Sequence, residues 1–568
     1  MEQEQNALLE LKNLSVRYAD GSDSVLQGIS LSLHAGEIIC VIGESGSGKS
    51  TLFQSILQLQ DRVMVTEGSV AFRGEVLCEA SAGESMPRKS RQFPGGAPVV
   101  GMQSRLSVRS FWGRNPSKLV TRRLRSIRGT GIGVVFQEPG ASLDPTRKIW
   151  RQFYDAMHAH DKSVRKMDAR SKAEQLLKQM EFSDPDRILD SYPVQLSGGM
   201  NQRVAIVLAM ALKPDVLLAD EPTSALDVTV QAQVIKELME LRRQYNTAIL
   251  LITHNMGVAA KMADRIVVMK RGQIVECGTR EEVLKHPKHP YTRKLLEAVP
   301  KIAKMKSENI LQSDMQPILE VSHITKTFHE HGGRQFRAVN DISLTVREGE
   351  CVGIVGESGS GKSTLARMVT RLLLPDSGSV KLCGTELTTA KGASLRAAYR
   401  NIKMIFQEPR SSFDPRLTLG ESICEALEPV MPGKKARMEE AGRLLCSVSL
   451  DESFLGLYPG QVSGGECQRA AIARALAQKP KLLICDEATS ALDVSVQAQI
   501  IVLLNEIRQN QQLSILLISH DLALVSSFCD RLYVLYEGTV VEEGETAQVI
   551  QNPRQPYTKK LIDSVLSI

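Results

Sequence analysis

Gly43-Glu44-Ser45-Gly46-Ser47-Gly48-Lys49-Ser50-Thr51 recurs, residue for residue, as Gly356-Glu357-Ser358-Gly359-Ser360-Gly361-Lys362-Ser363-Thr364, 313 positions further on. Each copy follows a short apolar run, Ile38-Ile39-Cys40-Val41-Ile42 in one case and Cys351 to Val355 in the other, and a helical pattern follows each. Strand, glycine-rich turn and helix in that order are what a phosphate-binding loop requires. Glycines let successive backbone N–H groups converge on phosphate oxygens, and the helix N-terminus adds a favourable dipole. Lys49 and Lys362 are then expected to reach the β and γ phosphates, and Ser50 and Ser363 to hold Mg²⁺.

The repetition extends beyond the loops. Phe136-Gln137-Glu138-Pro139 returns as Phe406-Gln407-Glu408-Pro409 at an offset of 270, and Ser197-Gly198-Gly199 as Ser463-Gly464-Gly465 at 266. Ser224-Ala225-Leu226-Asp227 and His254 return at 266 as well, as Ser490 to Asp493 and His520. Even the tails correspond, His289-Pro290-Tyr291-Thr292 with Gln555-Pro556-Tyr557-Thr558. A unit this long is a whole domain rather than a solenoid repeat. The drop in offset from 313 to 270 places 43 extra residues in the first copy, between Lys49 and Gln137. Residues 75–130 carry 11 Lys/Arg against 3 Asp/Glu, together with serines and a Pro-Gly-Gly, and read as a solvated surface loop. Contact with anionic lipid or an acidic partner is the sharper alternative for that stretch, and RNA binding a third. The expected division is a first domain at 1–299, a polar linker at 300–317 and a second domain at 318–568.

Two further sites recur. Val216-Leu217-Leu218-Ala219-Asp220-Glu221 and Leu482-Leu483-Ile484-Cys485-Asp486-Glu487 set a pair of acids at the end of a buried strand. Ligands of open α/β sheets bind at that edge. Asp220 and Asp486 are expected to support Mg²⁺, and Glu221 and Glu487 to polarise an attacking water. Ser197-Gly198-Gly199 and Ser463-Gly464-Gly465 each open an Ala/Leu-rich helix, where a hydroxyl and free N–H groups make a second anion site.

Composition sets outer bounds. The chain has 568 residues, 42% hydrophobic and 24% charged, with net charge +6. There is ample apolar surface for packed domains, so disorder as the main state is excluded. Aromatic residues are only 4%, which argues against base stacking as the main activity. No apolar run is long enough to span a bilayer, and the acidic Met1 to Gln5 gives no sign of a secretory leader. The ten cysteines are scattered without a CxxC pair, so neither a zinc site nor an iron–sulfur cluster nor a disulfide framework is indicated. His323, His329 and His331 have no metal-ligand spacing and read as loop residues.

Taken in order, these motifs resemble the nucleotide-binding domains of ABC ATPases, twice over and across nearly the whole chain. The resemblance implies an α/β fold of two P-loop NTPase domains in tandem, each with a RecA-like core and a helical subdomain. It implies that two domains close head to tail over two ATP molecules, Lys49 facing Ser463 to Gly465 and Lys362 facing Ser197 to Gly199. By the same resemblance, Tyr18 and Phe328 stack on adenine. Gln137 and Gln407 sense Mg²⁺ and the water and link to a membrane partner. Asp227 and Asp493 lie on the loop that crosses the interface, and His254 and His520 are the switch histidines. Met200 and Glu466 stand where Gln is common after the Ser-Gly-Gly, and Val462 where Leu is common. Both loops, both glutamates and both histidines are intact, so two hydrolytic sites are expected.

Finer features are similar to the dipeptide/oligopeptide/nickel import group: Ser142-Leu143-Asp144-Pro145 and Met256-Gly257-Val258 in the first half, Ser412-Phe413-Asp414-Pro415 in the second, and both Pro-Tyr-Thr tails. That resemblance implies a peripheral motor on the cytoplasmic face of the inner membrane. It would work with two integral membrane permease subunits and, indirectly, an extracytoplasmic solute-binding protein. Neither nucleic acid nor a homo-oligomer is needed. A soluble tandem ATPase acting on ribosomes or nucleic acid is the alternative, against which the short linker and the duplicated tails weigh. The solute, whether peptide, glutathione, nickel or a metal chelate, is left open.

Overall fold

The structure is a computed structural model that describes residues 7–19, 23–57, 63–80, 126–137, 142–182, 184–224, 226–299, 316–329, 335–489 and 492–565. Most of the basic stretch, most of the linker, Glu138-Pro139, Ala225, Ser490 and His331 lie outside the described residues. The chain divides into two units, Met1–Ser224 with Lys236–His289, and Ala225–Ile235 with Pro290–Ile568.

In the first unit the strands are β1 (Leu9–Tyr18), β2 (Ser24–Leu33), β3 (Ile38–Ile42), β4 (Val63–Phe72), β5 (Glu75–Glu79), β6 (Ile132–Val135), β7 (Val216–Asp220), β8 (Ala248–Ile252), β9 (Arg265–Lys270) and β10 (Gln273–Thr279). They form an antiparallel sheet ordered β2-β1-β4-β5 and a second sheet ordered β10-β9-β3-β8-β7-β6. In the second sheet β6, β7, β8, β3 and β9 run parallel, and β10 is antiparallel to β9. Glu75–Glu79, at the start of the basic stretch, is thus a strand paired with β4 rather than loop.

The second unit repeats this with β11 (Pro317–His329), β12 (Gln335–Arg347), β13 (Cys351–Val355), β14 (Ser377–Leu382), β15 (Thr385–Glu386), β16 (Ile402–Ile405), β17 (Leu482–Asp486), β18 (Ser514–Ser519), β19 (Arg531–Tyr536) and β20 (Thr539–Glu545). The sheet orders are β12-β11-β14-β15 and β16-β17-β18-β13-β19-β20.

The apolar runs become parallel strands because they are covered on both faces. Side chains alternate across a strand, and two cores divide them accordingly. Val352 and Ile354 of β13, Leu482 and Ile484 of β17, and Leu516 and Ile518 of β18 enter a core shared with the antiparallel sheet. Cys351, Val355, Leu483, Cys485, Ile515 and Leu517 point the other way, into a core shared with helices. Each such side chain is worth about 1.5–3 kcal/mol on full burial, so a polar residue at either parity is costly. The first unit shows the same parity, with Ile39, Val41, Leu218, Leu250 and Ile252 in the core beneath β1 and β2.

A helical layer is inserted between β6 and β7: Ile149–His160, Lys166–Gln179, Pro185–Asp190 and Gly198–Met210. Its counterpart between β16 and β17 contains Leu419–Leu427, Lys434–Ser447 and Gly464–Leu476. The Ser-Gly-Gly turns therefore belong to this layer, and the glycine loops and acidic pairs belong to the strand ends.

Candidate nucleotide sites

The strand order β6-β7-β8-β3 places four chain segments side by side at one sheet edge. Gln137 follows β6, Asp220 ends β7, His254 follows β8, and the loop Gly43–Gly48 follows β3. All four strands are parallel, so all four segments leave at their carboxyl ends, where open α/β sheets bind ligands. The second unit gives the same arrangement with Gln407, Asp486, His520 and Gly356–Gly361.

Each glycine loop turns into a helix, Lys49–Leu57 or Lys362–Val369. Gly361, the N-cap of the latter, has φ 101°, and a Cβ there would lie 2.3 Å from the carbonyl oxygen of Ala338. Only glycine fits. The lysines are buried. Lys49 Nζ donates to the carbonyls of Gly43 (2.7 Å) and Glu44 (2.8 Å), and Lys362 Nζ to those of Gly356 and Glu357 (2.8 Å each). Burial holds the Lys362 ammonium below its ordinary pKa despite the carboxylates around it. From behind, the turn between β9 and β10 supports the first loop, Gly272 N donating to the Ser47 carbonyl (2.9 Å). Gly538 N does the same for Ser360 at 3.1 Å.

The acidic pairs share an unusual backbone. Glu221 and Glu487 have φ of 46° and 48°, in the left-handed region. The amide of each is held by the neighbouring strand, Glu221 N to Ile252 O and Glu487 N to Ile518 O, both 2.9 Å. Non-glycine residues in that region cost energy and cluster at functional sites. The glutamate side chains are gripped from two sides. Gln137 Nε2 donates to Glu221 Oε2 (3.0 Å) and Gln407 Nε2 to Glu487 Oε2 (2.8 Å). His254 Nδ1 lies 3.0 Å from Glu221 Oε1, and His520 Nδ1 lies 3.6 Å from Glu487 Oε1. Burial would raise both glutamate carboxyls, but the imidazole beside each overrides it and holds them below the ordinary range. Burial first, and the adjacent charge of Glu221 second, push Asp220 up to about 6. Asp486 is raised by burial in the same way.

The histidines are set by caps that motif reading alone does not show. Asn255 accepts from Gly257 N at 2.8 Å and Asp521 from Leu524 N at 3.1 Å, so each histidine immediately precedes a capped helix. Thr253 Oγ1 and Ser519 Oγ accept from the amides of Asn255 and Asp521.

The residues fit a hard divalent cation. Ser363 Oγ donates to Asp486 Oδ1 at 3.0 Å, and Ser50 bonds Asp220 in the same way. Asp220 Oδ1 is buried without a hydrogen-bond partner. Gln137 and Gln407 donate through nitrogen, which leaves their amide oxygens as acceptors. Among the described residues no group of three or more His, Cys, Asp or Glu is arranged to hold a metal ion by itself. A hydroxyl, one carboxylate and an amide oxygen suit Mg²⁺, which completes its shell with water and substrate phosphates.

At the Ser-Gly-Gly turns, Ser197 caps the helix Gly198–Met210 by accepting from Met200 N (3.3 Å). Ser463 does so from Glu466 N, and Glu466 Oε2 in turn accepts from Ser463 N (2.7 Å), completing a capping box. Tyr18, at the end of β1, shares a hydrogen bond between its hydroxyl and that of Thr51 (3.0 Å). Phe328 stands in β11 opposite Phe336, both exposed. In the second unit Thr229 Oγ1 donates to Glu357 Oε1 at 2.7 Å. His323 pairs with Asp341 at 2.8 Å.

A glycine loop, a strand-end acid pair, a glutamine and a histidine at one parallel-sheet edge define a P-loop ATPase cassette, and the chain carries two. The chain belongs to the ABC transporter family: the family's cassette matches residues 26–224 and again 339–490. A second family, the oligopeptide/dipeptide transporter C-terminal region, matches 275–331 and 541–568. The chain is 36% identical over 593 aligned positions to the glutathione import ATP-binding protein GsiA of Pectobacterium atrosepticum, spanning 98% of this chain and 89% of that protein. It is 36% identical over 590 positions to the protein of that name from Escherichia coli K12, with the same coverage. Among solved structures, a dimeric ATP-binding cassette with ADP and Pi aligns with 40% of the chain and 98% of its own length, at 30% identity and a TM-score of 0.38. The protein is an ATP-binding, ATP-hydrolysing subunit of an ABC importer. No helix among the described residues is long and apolar enough to cross a membrane.

Proposed function

We propose that this chain is the complete motor pair of an importer for glutathione or a similarly sized peptide, acting on two permease subunits at the cytoplasmic face of the membrane and served by an extracytoplasmic solute-binding protein. The observation that carries this reading is 36% identity, through 98% of the chain, to proteins named for glutathione import. The two tail regions matching the oligopeptide/dipeptide family support it, and they favour import over action on ribosomes.

In this reading ATP is bound by the loops at Lys49 and Lys362, the two domains being 1–299 and 318–568. Ser50, Gln137 and Asp220 hold Mg²⁺ at one site, and Ser363, Gln407 and Asp486 at the other. The ion neutralises phosphate charge when bound. Glu221 and Glu487, kept ionised by their histidines, accept a hydrogen bond from the attacking water and align it. Gln137 and Gln407, bonded to those same carboxylates, tie their position to the start of the helical layer. As the resemblance to ABC ATPases implies, each ATP would be completed by the Ser-Gly-Gly turn of the opposite half, Ser463 to Gly465 for Lys49 and Ser197 to Gly199 for Lys362. Uptake of radiolabelled glutathione and of a labelled dipeptide into cells with and without the gene tests the substrate. Loss of glutathione uptake, restored by the parent but not by a Glu221→Gln/Glu487→Gln chain, is the expected result. Unchanged glutathione uptake with lost dipeptide uptake reassigns the solute, and loss of neither overturns import of this class.

A further inference from the structure

We propose that Tyr557, in the C-terminal tail, is a positioning residue of the second nucleotide site: its hydroxyl fixes the Glu357 peptide on which the loop lysine rests. This rests on the reading of the Lys362 loop as an ATP site.

The geometry is local and complete. Glu357 N donates to Tyr557 Oη at 3.0 Å, across 200 residues of sequence. The carbonyl of that same residue, and that of Gly356 before it, accept from Lys362 Nζ at 2.8 Å each. Gly356 packs closely on the next strand, where a Cβ would lie 2.3 Å from the Leu535 carbonyl oxygen. The Glu357 carboxylate accepts from Thr229 and lies 3.9 Å from Lys560 Nζ, one turn along the helix that carries Tyr557. An N–H committed to a tyrosine does not bind phosphate, so the hydroxyl acts through loop shape rather than on the nucleotide.

The tail is built to hold that hydroxyl still. Its helix, Pro556–Ser564, buries Thr558 and Leu561. Glu542 of β20, itself buried, accepts from Arg554 N (2.8 Å) and Gln555 N (3.1 Å) just before the helix. The Tyr557 ring lies on Tyr536, centroids 4.3 Å apart. Removing the hydroxyl leaves the ring in place and strands one N–H, which costs roughly what a lost hydrogen bond costs.

The test uses the full chain carrying Lys49→Ala, so that binding of a fluorescent ATP analogue with Mg²⁺ reports the second site. Tyr557→Phe is expected to weaken binding about three- to tenfold. Tyr536→Phe, which removes a neighbouring hydroxyl bonded to Glu537 rather than to the Glu357 amide, leaves it within about twofold, an effect below one hydrogen bond. Glu542→Gln, which loosens the tail without altering Tyr557, shifts binding in the same direction as Tyr557→Phe. With both loops intact, Tyr557→Phe raises the KM for ATP while kcat stays nearly constant, the split expected when ground-state binding alone is lost. Unchanged binding in Tyr557→Phe, with binding abolished by Lys362→Ala, overturns the role of the tail and leaves the nucleotide site standing. Undiminished binding in Lys362→Ala overturns the site itself, and the tail's role with it.

Discussion

In the first unit His254 lies 3.0 Å from Glu221, and the Ser197 turn is capped by a serine alone; in the second, His520 lies 3.6 Å from Glu487, and Glu466 closes the Ser463 cap into a box. The residues expected to meet the phosphates, the metal and the water are the same in both, down to the left-handed glutamates, while the residue expected against adenine is Tyr18 in one and Phe328 in the other. Divergence has gone into the supports: Met200 against Glu466, Ile38 against Cys351, and the extra residues of the first half. Reactive groups that are the same while the scaffolding drifts are what two working sites, as proposed, would leave.

The largest expected effect breaks that equivalence. Glu221→Gln and Glu487→Gln, made separately, are each expected to lower ATPase turnover by about 10²-fold or more if hydrolysis at the two sites is coupled, and by about half if it is independent. Phosphate release measured on both variants decides it, and a variant with the parent's rate removes its site from the pair.

Next come the histidines. Loss of a hydrogen bond to a charged group is worth about 1.5–3 kcal/mol. His254→Ala is therefore expected to reduce turnover by at least about tenfold, and His520→Ala by less, because 3.6 Å is too long for a hydrogen bond. Equal losses would show that the two distances converge when nucleotide is bound.

A smaller effect follows from protonation. Burial alone would lower the His520 pKa, but the Glu487 carboxylate raises it. A histidine raised in the folded state contributes stability that is fully present below its ordinary value of about 6.5. That contribution is lost as pH rises through the folded value. Urea unfolding of the nucleotide-free parent and His520→Gln across pH 6 to 9 is expected to show a difference that shrinks with rising pH. A constant difference would assign His520 a packing role only.

The smallest effect sharpens the comparison of caps. Met200→Glu supplies the first unit with the box that Glu466 gives the second, and is expected to add about 0.3–1.5 kcal/mol. Thermal unfolding measures it, and no gain would mean that the Ser197 backbone does not present its N–H for capping.

Much of this was legible in the chain. Buried parallel strands announce themselves as unbroken apolar runs, and a glycine loop after such a run has few other meanings. The order of Gln137, Ser197, Asp220 and His254 could be read because each motif is local. What could not be read depends on distance or on backbone angle. Nothing in Asp220-Glu221 announces a φ of 46°, which the hydrogen bond to Ile252 on the next strand sustains. The contact of Tyr557 with Glu357 joins two motifs that are each local in the chain, but their spacing holds no trace of the bond. Likewise β5 was hidden inside a basic stretch, because the Glu75–Glu79 strand gains its pairing from β4 rather than from its own pattern.

The left-handed glutamates have a consequence for anyone redesigning this motor. Asparagine and glycine tolerate that backbone best, yet asparagine is a methylene too short and glycine has no side chain at all. Branched residues of sufficient bulk are excluded by the main chain. The position therefore admits very few chemical alternatives of equal length, and glutamine is the natural choice for a dead motor whose shape is intact. Any other silent variant at Glu221 or Glu487 would confound a chemical defect with a bent strand end.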